Sequence, residues 1–156
     1  MQIINLIQGT PEWHAHRAQH FNASDAPAML GVSKYKTRTQ LLDEMKSGIV
    51  KDVDAATQRR FNDGHAFEAL ARPLAEEIIG QELYPVTGFE DQYSASFDGL
   101  TMDETINFEH KSLNDEIRAC KSAADLDEMY RVQMEHQMMV SKSAKTLFMA
   151  SKWNGD

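Results

Sequence analysis

An α/β fold, a small mixed β-sheet flanked by helices, is the architecture this sequence predicts. Three observations lead there. Residues 54–79 repeat apolar side chains at helical spacing. Two short segments, 93–98 and 105–111, have the β-branched and aromatic texture of paired strands. A second helical stretch, 127–141, then leads into a final apolar segment at 145–153. Helices, a strand pair, a helix and a strand, in that order, pack as a sheet with helices against it.

The elements follow from local signals. Residues 3–13 read as a short lead-in broken by Gly9-Thr10-Pro11, with Thr10 as N-cap and Pro11 at the first helical position. Ser24 or Asp25 caps a short helix to Leu30, which Gly31 ends. Thr37 or Thr39 opens the next, through Leu41, Leu42 and Met45 to a stop at Gly48. In the long helix, Phe61, Phe67, Leu70, Leu74 and Ile78 recur every three or four residues. Gly64 interrupts this run, Pro73 is a kink site, and Gly80 is the stop. Residues 82–86 read as extended, and 99–104 as the hairpin loop between the paired strands. On the 127–141 helix, Met129, Val132, His136, Met139 and Val140 lie on related faces. Met134, Met138 and Met139 read as core filling, and Trp13 as a core anchor.

Bulk composition narrows the function classes. The 156 residues suit one domain, and the 42% apolar and 26% charged fractions are ordinary for a globular chain. No apolar run is long enough to span a membrane, and the start has neither a basic region nor a small-residue cleavage site. The single cysteine, Cys120, excludes an internal disulfide and a cysteine-based zinc cage. A reducing cytoplasm is the expected location. His14, His16 and His65 lack the spacing of a zinc set. The net charge of -8 argues against nucleic acid, but it is uneven: residues 1–40 balance to +2 and the remainder to -10. Bound divalent cations would add positive charge where it is needed.

The chemistry-bearing set is Asp98 followed, eleven positions later, by Glu109-His110-Lys111. On a strand, Glu109 and Lys111 share a face and His110 takes the other. If 93–98 pairs with 105–111, Asp98 comes beside Glu109. Two carboxylates and an ammonium on one patch suit phosphodiester hydrolysis. Magnesium takes carboxylate oxygens while keeping several waters, activates one of them and neutralises phosphoryl charge. The lysine orients the attacking water or stabilises developing negative charge. Glu68, four residues after Gly64 on the long helix, offers a third carboxylate. Gln133, with His136 and Gln137 at i+3 and i+4, presents a polar helix face able to hold water or a phosphate oxygen.

These residues together resemble the PD-(D/E)XK nuclease superfamily, and more narrowly its lambda-exonuclease and phage-type (YqaJ-like) recombinase branch. The resemblance is carried by Trp13-His14-Ala15-His16-Arg17, Asn22-Ala23-Ser24, Gly64-x-x-x-Glu68, Ser96-Phe97-Asp98-Gly99-Leu100, Glu109-His110-Lys111 and Tyr130-x-x-Gln133. It implies a PD-(D/E)XK, restriction-endonuclease-like core forming one nuclease domain over 1–156. It implies Asp98, Glu109 and the His110 backbone carbonyl as ligands of Mg2+ (or Mn2+), with Glu68 in the metal's shell. Lys111 then serves the nucleophilic water, Gln133 helps position it, and Arg17 and Ser24 grip a 5′-phosphate. The implied activity is 5′-to-3′ exonuclease digestion of one strand of double-stranded DNA in phage-type recombination. The implied partners are DNA ends and a single-strand annealing protein, and the implied assembly is a homotrimer in the cytoplasm of a bacterial host. Phe97 stands where the superfamily's motif has proline, and His136 where the branch often has tyrosine. Relatives continue with strand and helix beyond the point corresponding to Asp156. A selective endonuclease on the same core, and a DNA-end-binding module without catalysis, are the rival readings.

Overall fold

The computed structural model describes residues 1–49 and 54–153. Capping chemistry sets the helices. Helix α1, Pro11–Ala18, starts under Thr10, whose side chain accepts the Trp13 N–H. Asn22 to Asp25 form a tight 3-10 turn that leads into α2, Ala26–Met29. In α3, Arg38–Ser47, Thr37 and Gln40 make a reciprocal capping box, and Gly48 ends the helix in the left-handed region at φ 69°. The long α4, Ala55–Ile79, starts under Asp54 and continues through both Gly64 and Pro73. Its buried face differs from the apolar stripe read in the sequence. Ala71 and Ala75 are fully buried, whereas Phe61, Leu70, Leu74 and Ile78 remain substantially exposed. The small residues face the sheet because they allow close approach: a Cβ on Gly64 would lie 3.6 Å from Ser112 Oγ.

Strands β1 (Gln2–Ile4), β2 (Phe21–Asn22), β3 (Leu83–Glu90), β4 (Tyr93–Thr101), β5 (Ile106–Ser112) and β6 (Lys145–Ser151) form one mixed sheet in the order β1-β3-β4-β5-β6, with β2 joined to β4. The hairpin loop between β4 and β5 is shorter than the sequence suggests. Gly99, Leu100 and Thr101 belong to β4, and Gly99 and Leu100 pair with Phe108 and Asn107. The turn is held instead by Asp103, whose Oδ1 accepts from the Thr101 hydroxyl and the Thr105 N–H. Helix α6, Glu128–Ser141, returns the chain so that β6 lies parallel to β5. The short α5, Asp115–Ala119, lies between β5 and α6, where no helix was read.

The two faces of β5 have different neighbours. Phe108 is wholly buried with Ala71 and Ala75 of α4, and Leu147 and Met149 of β6 pack at the margin. Glu109 looks the other way, toward α6. Helix α6 also buries Val140 against Ala95, Phe97 and Ala23, and Met129, Tyr130 and Met134 against Ile117 and Leu126. Met134 is thus core, as read, while Met139 is exposed. Among the described residues no helix is long and apolar enough to cross a membrane.

Candidate active site

The site lies where β4 and β5 part. Between Tyr84–Val86 and Leu100–Phe97, two steps along β3 match three along β4, which is a β-bulge. The bulge has a cause in the sequence. Pro85 sits within that stretch of β3 and has no N–H for the ladder. The extra residue on β4 falls at Asp98-Gly99, and Asp98 leaves the ladder. Its Oδ2 accepts the His110 N–H of β5 at 2.7 Å, and its backbone carbonyl accepts Arg72 Nε of α4 at 3.1 Å. A side-chain carboxylate thereby replaces a strand carbonyl as the partner of β5.

Glu109 and Lys111 share the α6 face of β5, as strand alternation requires. The Lys111 ammonium donates to Glu109 Oε1, as does Gln133 Nε2 at 2.7 Å, while Gln137 Nε2 donates to Glu109 Oε2 at 2.6 Å. His110 takes the opposite face, its ring beside Phe108 and its Nε2 2.8 Å from Ser151 Oγ. Glu68 joins from α4: its Oε1 accepts Arg72 Nη2 at 2.6 Å, one helical turn apart. Through Arg72, Glu68 and Asp98 are held on one edge of the site.

The electrostatics follow from this crowding. Burial, then the charges of Glu109 and Glu68, raise the Asp98 carboxyl well above its ordinary range. Burial pulls the Lys111 ammonium toward neutrality. The charges of Glu109 and Asp98 outweigh it, so Lys111 stays protonated above the usual lysine value. Burial, then Lys111, pushes the His110 imidazole down to about 4. Three carboxyl groups beside two cations gather hard oxygen donors on one patch, the chemistry a divalent cation such as magnesium takes. Among the described residues, no group of three His, Cys, Asp or Glu side chains is placed to hold a metal ion.

Arg17 and Ser24 also meet. Arg17 Nη2 donates to Ser24 Oγ and to Asp25 Oδ2, each at 3.0 Å. The guanidinium sits 4.7 Å from the centre of the Trp13 ring, so Trp13 packs on a cation rather than in the core. Asn22 locks this corner by donating to the Arg17 and His20 carbonyls. Arg17, Trp13, Phe21, Tyr93 and His136 line a cleft of about 1210 Å3. Asp98, Glu109 and Lys111 are not in its wall.

Of the residues singled out in the sequence, Asp98, Glu109, Lys111 and Gln133 are joined by direct contacts or, for Asp98, through the adjoining peptide. Glu68 is joined through Arg72. Arg17 and Ser24 form a separate pair. Arg72 was missed, although its position four residues after Glu68 is the spacing of a helical ion pair. Gln137 was read only as part of a polar helix face, and its bond to Glu109 was not foreseen.

A bulged strand presenting one acid, beside a strand presenting Glu-x-Lys, inside a mixed sheet flanked by helices, defines a nuclease of the PD-(D/E)XK fold. The chain belongs to the YqaJ-like viral recombinase domain family, whose pattern matches residues 12–144. Among solved structures, it is similar to the alkaline exonuclease LHK-Exo from Laribacter hongkongensis, at 25% identity and a TM-score of 0.69, over 90% of this chain and 73% of that one. The same exonuclease in complex with dAMP matches with a TM-score of 0.67 at 25% identity, over the same shares of the two chains. No curated protein matches the chain.

Proposed function

We propose that the chain is a Mg2+-dependent exonuclease that digests one strand of linear double-stranded DNA from a 5′-phosphorylated end, 5′ to 3′. The observation that carries this reading is the meeting of Asp98, Glu109 and Lys111 where β4 and β5 part. Kinship with an alkaline exonuclease supports DNA as the substrate. Asp98, Glu109 and the His110 carbonyl would hold Mg2+, or Mn2+ in its place, with Glu68 behind them. Bound there, the metal supplies an activated water and charge neutralisation at the phosphoryl group.

The chain's own groups account for the rest. Lys111, which donates to Glu109, acts as a cation and hydrogen-bond donor toward the attacking water and the developing phosphorane charge. Gln133 keeps Glu109 Oε1 in place beside it. Arg17 and Ser24 receive the terminal 5′-phosphate, and the adjoining cleft has room for nucleotides next to it. In this reading the domain works as a homotrimer around duplex DNA and supplies single strands to an annealing protein during phage-type recombination.

The test uses three substrates: 5′-phosphorylated linear duplex, the same duplex with 5′-hydroxyl ends, and a covalently closed circle. With Mg2+, the first is degraded fastest, the circle survives, and a chelator stops the reaction. Products labelled at either end report the direction. Nicking of the circle would replace the exonuclease reading with an endonuclease.

A further inference from the structure

Gln137 is fully buried on α6, one turn after Gln133. Its Nε2 donates to Glu109 Oε2 at 2.6 Å and to the Ser96 carbonyl at 3.3 Å. Both neighbours are acceptors, so the amide must turn its NH2 group toward them. The reverse orientation would set oxygen against oxygen. That choice leaves Gln137 Oε1 buried with no hydrogen-bond partner. A buried carbonyl without a partner costs stability, while the two bonds that the NH2 group donates offset part of that cost, because they satisfy the buried Glu109 Oε2 and the Ser96 carbonyl.

Glu109 is gripped at both oxygens, but the grips differ. Oε1 is shared by Lys111 and Gln133, whereas Oε2 belongs to Gln137. Oε1 lies on the side of Lys111, whose side chain is 29% exposed, while Glu109 itself is buried. Gln137 works from the closed side and determines the rotation of the carboxylate.

We propose that Gln137 is a positioning residue: it anchors Glu109 Oε2 so that Oε1 is held at Lys111 and Gln133. The inference rests on the exonuclease reading above. Groups that orient a metal-ligating carboxylate typically change metal affinity or activity by 10–100-fold when removed. A residue kept only for packing would show the opposite pattern, with stability falling and chemistry intact.

The decisive variant is Gln137→Met in the full chain, with Gln137→Leu as a second apolar replacement in case methionine packs poorly. Three quantities are compared with the unsubstituted protein: Tm in chelator, Mn2+ affinity by calorimetry, and kcat and KM on 5′-phosphorylated linear duplex. The expected result is cooperative unfolding at a Tm no more than modestly lowered in at least one variant, with Mn2+ affinity and kcat each lower by roughly 10–100-fold. KM for DNA should stay within about twofold, because Gln137 faces away from the substrate side. Unchanged Mn2+ affinity and kcat in either stable variant overturns the proposal. Loss of cooperative unfolding in both variants also overturns it, since the amide would then be structural. If the unsubstituted protein neither binds Mn2+ nor digests the duplex, the exonuclease reading itself falls, and the positioning role with it. An active parent with an equally active Gln137→Met removes the positioning role alone.

Discussion

At the scale of single residues, Asp98 shows how a functional group opposes the fold that carries it. Burial beside Glu109 and Glu68 raises its pKa in the folded chain, whereas in the unfolded chain it titrates near its ordinary value of about 4. A carboxyl with a raised folded pKa binds more protons when folded, so its contribution to stability falls as pH rises above about 4, through the folded pKa. His110, lowered to about 4, has the opposite slope between about 4 and 6.5, so the two offset each other in that window. A difference measurement separates them. Asp98→Asn, compared with the parent in chelator, should gain stability progressively from about pH 4 upward, with a limiting slope of about 1.4 kcal/mol per pH unit until Asp98 is ionised. Denaturant unfolding at several pH values reads this, and a variant less stable than the parent near neutrality would refute the crowding argument. Arg17 gives a second residue-scale expectation. Its guanidinium is aimed by Ser24 and Asp25, and in the proposed grip on a 5′-phosphate it would make charge-assisted hydrogen bonds worth about 1.5–3 kcal/mol. Arg17→Ala should therefore reduce the advantage of a 5′-phosphate over a 5′-hydroxyl end by roughly 10–100-fold. Equal loss on both ends would make Arg17 a general DNA contact.

Elements decide where those residues point, and here legibility from sequence was uneven. Helix starts and stops were visible because capping is local: Thr10, Thr37, Gly48 and Gly80 act within a turn of where they stand. The Glu109-x-Lys111 face was visible because strand alternation is fixed. The buried face of α4 was not. The leucines suggested one stripe, but the sheet is met by Ala71 and Ala75, and only the tertiary partner chooses between adjacent helical faces. The full length of β4 was hidden too, since Gly99 resembles turn chemistry. Its reason for being glycine lies on another strand: a Cβ there would lie 2.8 Å from Leu83 Cβ. Gly99→Ala must push β3 and β4 apart at the bulge that carries Asp98. Overpacking of this kind costs about 1–3 kcal/mol, and it moves a carboxylate whose placement matters to within about 0.5 Å. The expected outcome is a moderate drop in Tm with a disproportionate loss of activity, at least about tenfold, read by thermal unfolding and initial rates on one preparation. Full activity in a destabilised Gly99→Ala would show that the bulge tolerates displacement.

Over the whole molecule, charge sets the terms on which DNA is met. The sequence places its local positive excess in residues 1–40. The fold engages most of those cations with acids of its own: Arg17 with Asp25, Lys34 with Glu116 and Asp127, and Lys36 with Glu44. A domain of net charge -8 whose cations are so engaged neutralises few phosphates. Each neutralised phosphate contributes about -0.9 to the slope of log K against log salt. With Arg17, Lys111 and one further cation engaged, the slope should lie between about -1 and -3. In the proposed function, divalent cations held at the Asp98–Glu109 patch would add positive charge there, so end binding should strengthen with Mg2+ at constant ionic strength. Lys111→Ala suits this measurement, because loss of a fixed cation at a reacting phosphate slows chemistry by about 10²–10³-fold while leaving the end grip of Arg17 and Ser24 in place. Fluorescence anisotropy of a labelled duplex end, titrated across NaCl with and without Mg2+, reads both effects. A slope steeper than about -5 would require a basic DNA-binding face that this arrangement of ion pairs does not provide.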